Sequence, residues 1–319
     1  MKLTKQAFIA KWLEIETGYC PDFILQKLGK KEAQNRLMTF VEENWRFCGD
    51  KKSAERVHDY CGIEGAKVED YLYRQLSTPF GEVVTSIRFV GGDLTKPAVF
   101  LIHKDFELDS QAKVKEMGDF LYREYELFQP KRFRWFSPKE AVNLSKFGEG
   151  IEGDLSYYTG FLADLKNAPK PASFEKIELA VSTSLDWYER YENSYQDMYR
   201  ANPFFVEMAS VESRESLQDM MDKGLLFEVL VDGAWAGIIG VCEARRKYLA
   251  GYEVYEEYLL AEFRGKGLAP AVQRHLIERL PSTANEMLYG TIHHQNIPSI
   301  KTAKRCGRRG VGAYVFAEI

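Results

Sequence analysis

Midway through its second half the chain reads Glu262-Phe263-Arg264-Gly265-Lys266-Gly267-Leu268-Ala269, between a strand-like run and a helix-like one. The first turn of a helix carries N–H groups without intrahelical acceptors and the positive end of the helix dipole. A phosphate placed there is held by the backbone itself. Gly265, Gly267 and Ala269 keep side chains out of that approach, and Arg264 and Lys266 add positive charge. Pro270 follows where its missing N–H costs little. A solvated loop capping a helix would also read this way, and these residues alone leave both readings open.

A second group of residues has the chemistry to move protons. Glu253, Glu256, Glu257 and Glu262 lie in a stretch that holds no Lys or Arg. Clustered carboxylates raise one another's pKa and attract cations, which suits a site that binds an ammonium and then takes its proton. Strict alternation sets Glu253, Tyr255, Glu257 and Leu259 on one strand face and Tyr252, Val254, Glu256 and Tyr258 on the other. Glu253 and Glu257, which share a face, are the candidate bases. The competing reading is a charged edge strand kept soluble. His293 and His294 close a later strand. Neighbours on a strand point oppositely, so the pair does not readily share a metal, but His293 can face a cleft. Tyr188, Tyr191, Tyr195, Met198 and Tyr199 fall on one helical face, as core packing or as a groove wall. Lys301, Lys304, Arg305, Arg308 and Arg309 read as a solvated run or as a phosphate contact.

The elements that must position these groups follow from pattern. Lys176–Val181 reads as a strand, Leu185–Ala201 and about Arg214–Asp222 as helices. Leu225–Val231 and Ala234–Val241 form a hairpin around Asp232-Gly233, a turn that favours positive φ. Gly251–Leu260 is a long strand leading into the glycine turn and a helix ending near Leu280. Met287–His293, Ile297–Cys306 and Gly312–Glu318 read as strand, helix and strand. Upstream, the first ~60 residues are helical, with Leu37, Phe40, Val41, Trp45 and Cys48 on one stripe. Strands follow at Val68–Gln75, Glu82–Val90 and Ala98–His103. A helix spans about Ser110–Leu127, a strand lies near Arg132–Phe136, a short helix follows Pro138, and a strand lies near Tyr157–Leu165. The prolines of Asn167-Ala-Pro-Lys-Pro-Ala-Ser173 mark a linker, giving domains 1–170 and 173–319.

Composition narrows the class. At 319 residues, 45% hydrophobic and 28% charged, the chain has the make-up of two soluble globular domains. No run approaches the ~18 apolar residues of a spanning helix, and charge in every turn of the first residues excludes a signal peptide. Five cysteines without CxxC spacing argue against disulfides and zinc, and for a cytoplasmic location. From Ser173 onward there are 17 basic and 21 acidic residues, leaving 26 of each before it. Neither half has the basic excess of a nucleic-acid binder.

Arg264-x-x-Gly267-x-Ala269 resembles the signature of the GNAT superfamily of acyltransferases, which places Gln or Arg, then Gly, then Gly or Ala between its fourth strand and third helix. The order of elements over Ser173–Ile319 is similar to that family as well. The resemblance implies an α+β fold: a mixed, mainly antiparallel sheet flanked by helices. It implies acetyl-CoA or another acyl-CoA as co-substrate, with its pyrophosphate on the backbone of Gly265, Lys266, Gly267, Leu268 and Ala269. Pantetheine would lie in a splay between the strands ending near Leu259 and His293. The acyl group would pass by direct attack to an amine of a small molecule or peptide, with no metal, nucleic acid or membrane involved. The family's next marker, an Asn opening a helix with a Gly eleven residues on, appears as Asn296 and Gly307. Asn296 also reads as a helix N-cap.

Two positions depart from the family. Ala303 stands where many members carry a Tyr that protonates the CoA thiolate, and Arg308 stands where an aromatic often follows the Gly. Twelve residues remain after Gly307, enough for one strand instead of two, so the other domain or a second copy in a homodimer would complete the edge. The first half repeats the order strand, helix, strand, helix, strand, as an α/β domain of the same fold would. Its turn, His103-Lys-Asp-Phe-Glu-Leu-Asp109, has acid and no glycine, so no CoA site is expected there. Two rival readings remain: a CoA-binding sensor or scaffold without turnover, and a tandem transferase drawing on aminoacyl-tRNA.

Overall fold

The computed structural model describes residues 5–138 and 149–319 and divides into two units. One comprises Met1–Leu155 with Gly312–Ile319, the other Ser156–Val311. The short helix expected after Pro138 lies outside the described residues. The segment read as a linker lies wholly within the second unit, and its backbone is tied locally, Phe174 N–H donating to Pro171 O.

In the second unit, β6 (Ile177–Val181), β7 (Leu226–Val231), β8 (Ala234–Arg246) and β9 (Leu249–Leu259) run antiparallel, in that order. Asp232 and Gly233 take φ of 49° and 80°, as the β7–β8 hairpin turn requires. β10 (Met287–His293) joins β9 in parallel, and the end of β5 (Ile151–Phe161) lies on its far side. A parallel partner needs a crossover, which α10 (Ala269–Arg279) supplies. Its Ala271, Val272, Leu276 and Ile277 are fully buried against Leu179, Val229, Ile239 and Tyr252. Each large aliphatic side chain so buried contributes roughly 1.5–3 kcal/mol. On the opposite face, α7 (Tyr188–Ala201) and α9 (Arg214–Asp222) cover Leu226, Ile238 and Tyr258. The short α8 (Phe205–Met208) lies between them in sequence, and α11 (Ile297–Arg305) follows β10.

The first unit opens with α1 (Lys5–Gly18), α2 (Asp22–Leu28), α3 (Lys30–Arg46) and α4 (Lys51–Cys61). Then β1 (Arg74–Thr78), β2 (Gly81–Phe89) and β3 (Pro97–Lys104) run antiparallel. α5 (Gln111–Glu124), capped by Ser110, crosses to β4 (Arg132–Ser137), parallel to β3. β11 (Arg309–Glu318) pairs antiparallel with β4 from Ala313 to Glu318. Both units thus share an order: antiparallel strands, a crossover helix, a parallel strand. In each, the parallel pair holds register for three residue pairs only, Ala98–Phe100 in one and Gly251–Glu253 in the other. The fold is the expected mixed, mainly antiparallel α+β architecture.

Two expected strands differ. Val68–Tyr71 forms a 3-10 turn before β1, and Leu162–Lys166 forms α6 after β5. Hydrophobic runs of four or five residues do not distinguish these from strands.

Candidate active site

The β9–β10 ladder stops at Tyr289↔Glu253, so Val254–Leu259 has no ladder partner on that side. Beyond this point a groove of about 410 Å³ opens. One wall is α10 and α11, with Leu268, Ala269, Pro270, Asn296, Ser299 and Thr302; the other is Tyr195, Met198, Phe205 and Ala209. Arg264, Lys301 and Arg305 line it as well.

The turn at its mouth has the geometry its glycines demand. Gly265 and Gly267 take φ of 73° and 70°, the left-handed region that a side chain strains. A Cβ added at either would meet nothing within 4 Å, so the space above the turn is open. None of the N–H groups of Gly265 to Ala269 donates to an acceptor among the described residues. The Gly267 carbonyl is turned away and accepts from Ser173 Oγ at 3.0 Å. Arg264 folds back: its Nε donates to Leu259 O at 2.6 Å and its guanidinium covers the Tyr258 ring at 4.6 Å. Lys266 extends beside Phe263. Donors without acceptors, a helix N-terminus and open space together form an anion cradle.

The carboxylates of β9 are not arranged as alternation predicts. Gly240 pairs with Glu256 but Val241 pairs with Val254, so Tyr255 is an extra residue, a β-bulge. The bulge reverses the parity beyond it. Tyr252, Val254 and Leu259 share the α10 core, where Glu257 also accepts from Gln273 Nε2 at 2.5 Å. Tyr258 and Glu256 face α7 instead. Glu253 and Glu257 therefore lie on opposite faces, which corrects the sequence expectation.

Each acid has its own surroundings. Glu253 is buried, with Arg246 at 3.5 Å; burial raises its pKa and the guanidinium opposes the rise. Glu257 is raised by burial too, against its Gln273 hydrogen bond and the nearby Arg308. Its second oxygen, Oε1, has no partner among the described residues. Glu256 accepts from the hydroxyls of Tyr191 and Tyr195, each at 3.1 Å, and burial pushes its pKa up to about 8. Glu262 is exposed and pairs with Arg190 at 3.5 Å.

Of the acid–base residues singled out by sequence, Glu257 lines the groove, whereas Glu253 and His293 do not. His293 lies at the end of β10, where Gln295 N–H donates to its Nδ1 at 3.3 Å. Its ring is 4.6 Å from that of His294, because the strand ends there and alternation ends with it. No cluster able to hold a metal occurs among the described residues. Ala303 is fully buried against Tyr158, Ile292 and Ile300. Arg308, read as part of a solvated run, is instead only 3% exposed, with Nε and Nη1 unpartnered among the described residues. Sequence reasoning gave Glu256 no catalytic part. The signal that finds it is the pair Tyr191 and Tyr195, whose spacing stacks two hydroxyls that need one buried acceptor.

Asn296 caps α11, accepting from Ser299 N–H at 3.3 Å, and also lines the groove. Asn296→Ala is expected to lower stability by about 1 kcal/mol in thermal melts. Asn296→Asp keeps the cap but adds a negative charge to the groove, so it should weaken anion binding at unchanged stability. If the two variants behave alike in both measurements, the residue acts only as a cap.

Residues 185–307 match the family model described as acetyltransferase (GNAT) family. No curated protein matches the chain. Among solved structures it resembles a GCN5-related N-acetyltransferase from Sphaerobacter thermophilus, with TM-score 0.51, 13% identity, and 83% of this chain and 84% of that one covered. A GNAT-family acetyltransferase from Colwellia psychrerythraea aligns at TM-score 0.44 and 11% identity over 74% of this chain and 85% of that one. Another GCN5-related N-acetyltransferase, from Kribbella flavida, gives 0.41 and 12% over 84% and 94%. The first shares the fold. With its signature turn and its parting parallel strands, the segment 185–307 is a domain of the acetyltransferase (GNAT) family.

Proposed function

We propose that the second unit transfers an acyl group, acetyl in the first instance, from acyl-CoA to an amine of a small molecule or peptide. The observation that carries this reading is the glycine turn, whose N–H groups lack acceptors at the mouth of a groove entered where β9 and β10 part. The pyrophosphate is assigned to the backbone of Gly265 to Ala269, and the pantetheine arm to the groove along Leu259, Leu268, Asn296 and Thr302. Lys301 and Arg305 line the same groove and suit the remaining phosphate. That leaves the opposite wall, Tyr195, Met198, Phe205 and Ala209, for the acceptor. Direct attack needs a neutral amine, and the carboxylates of β9 are the groups that take its proton. With Ala303 in place of a hydroxyl, Tyr258 is the candidate to hydrogen-bond the leaving thiolate. It lines the groove, and its hydroxyl has no partner among the described residues.

Thiol release from acetyl-CoA, assayed with a panel of primary amines, tests the reading. Amine-dependent release is expected. Tight CoA binding with no release for any amine would favour a sensor without turnover, the reading that Ala303 supports.

A further inference from the structure

Resting on the acyl-transfer reading, we propose that Tyr195 and Glu256 form a proton relay for the acceptor amine, with Tyr195 at the groove and Glu256 behind it. Tyr195 lines the groove from α7 and donates its hydroxyl to Glu256 Oε1 at 3.1 Å. Tyr191, one helical turn earlier, donates to Oε2 at 3.1 Å and in turn accepts from Glu212 N–H at 3.0 Å. Glu256 itself does not line the groove and is 6% exposed; of the two tyrosines bonded to it, Tyr195 is the one that lines the groove. The bulge at Tyr255 creates this arrangement, turning Glu256 toward α7 beside the point where β9 leaves β10.

The surroundings hold the carboxyl ready to take a proton. Facing it are Tyr191, Tyr195 and Tyr199 of α7, Tyr258 of β9, and Glu212 from the loop before α9. The arginines at this cluster lie over its rings, Arg264 over Tyr258 at 4.6 Å and Arg214 over Tyr188 at 4.4 Å. Burial and Glu212 raise the Glu256 pKa to about 8, against its two tyrosine hydrogen bonds. A carboxylate so raised accepts a proton from an alkylammonium with a far smaller mismatch than an ordinary one. Glu253 differs, since Arg246 stands beside it, and Glu257 approaches from the α10 wall assigned to the pantetheine arm.

An ammonium N–H proton passes to Tyr195 Oη while the Tyr195 proton passes to the Glu256 carboxylate. The freed nitrogen lone pair attacks the thioester carbonyl carbon, forming C–N. The C–S bond breaks, its electron pair stays on sulfur, and a second N–H proton neutralises the thiolate. Glu256 returns its proton to solvent after the products leave.

Glu256→Gln and Tyr195→Phe should each lower kcat by about 100-fold or more, with KM for acetyl-CoA nearly unchanged. Wild-type turnover should climb with pH up to about 8, the value for Glu256, and Glu256→Asp should restore part of the rate with a displaced profile. A purely structural carboxyl predicts the reverse. The folded chain keeps this proton up to about pH 8 whereas an unfolded glutamate releases it near 4.5, so the carboxyl costs stability as pH rises through that window. Glu256→Gln should therefore melt no lower than wild type at pH 9 while losing turnover. The Tyr195→Phe chain retains Tyr191 as a donor and serves if the first variant fails to fold. The relay is overturned if Glu256→Gln turns over with a wild-type pH profile, or if Glu253→Gln or Glu257→Gln produces the loss instead. A wild type that binds acetyl-CoA but releases no thiol with any amine sinks the acyl-transfer reading and the relay with it; an active wild type beside an equally active Glu256→Gln sinks the relay alone.

Discussion

Gly267→Val is expected to weaken CoA binding by about 100-fold or more, a loss of roughly 2.7 kcal/mol, without unfolding the second unit. Two effects add. At φ of 70° a β-branched residue is strongly disfavoured, so the turn must distort and misalign its N–H groups. A side chain tolerated there would fill open space above the turn, since nothing lies within 4 Å of the added Cβ. Neither effect touches the core, because the turn's neighbours Glu262, Gly265, Lys266 and Gly267 are exposed. Calorimetric titration of CoA into full-length wild type and variant, with melting curves alongside, decides the matter. Equal affinity in a folded variant would remove the pyrophosphate from this turn. The same titration addresses the first unit. Between β3 and α5 its chain carries Asp105, Glu107 and Asp109 and no glycine, and the Asp105 carboxylate is already engaged by Glu82 N–H and Lys11. Gly267→Val should therefore show no residual second site.

The other large effect is on stability. Gly251 begins the parallel register with Met287 at φ of 134°, and a Cβ there would lie 2.4 Å from Met287 O and 2.7 Å from Met287 N. Backbone atoms cannot swing aside as side chains can, so the two strands must part. Gly251→Ala should cost about 3 kcal/mol. For a unit of this size that is a fall of roughly 10 °C in the melting midpoint. Gly49→Ala is the control: nothing lies within 4 Å of its added Cβ and its φ is not positive, so it should stay within about 0.5 kcal/mol of wild type. A Gly251→Ala melt that matches the control would mean the strands accommodate a methyl group there. Because β9 and β10 part a few residues further on, the same variant should also weaken CoA binding.

How far the sequence discloses this molecule depends on the range of the interaction involved. The glycine turn, the Asp232-Gly233 hairpin and the Asn296 cap are set within a few residues, and their types declare them. β10 and α7 were also legible, because their periodicity runs over a full face. The arrangement of the β9 acids was not. A single inserted residue, Tyr255, is invisible to alternation yet exchanges the faces of everything after it. Arg308 was misread for a related reason. Its neighbours Lys304, Arg305 and Arg309 are exposed, and only the contact with β10 at Gly290 and the nearness of Glu257 mark it as interior. Neither partner is close to it in sequence. Whether a residue near a strand start turns inward depends on such partners, and composition does not carry that information.

The membership of Gly312–Ile319 in the first unit has a consequence for how the protein is made. A ribosome releases residues in order, so the helices and sheet of Met1–Leu155 emerge long before the strand that pairs with β4. Until then Phe133, Trp135 and their neighbours lack Val315 and Ala317, which are fully buried in the same core. The first unit must wait for synthesis of the entire second unit, an unusually distant closure with a correspondingly slow final step. During that wait the β4 edge is open to other chains. A translation error or proteolytic nick near Gly312 would thus harm the half of the molecule made first and leave most of the half made last intact.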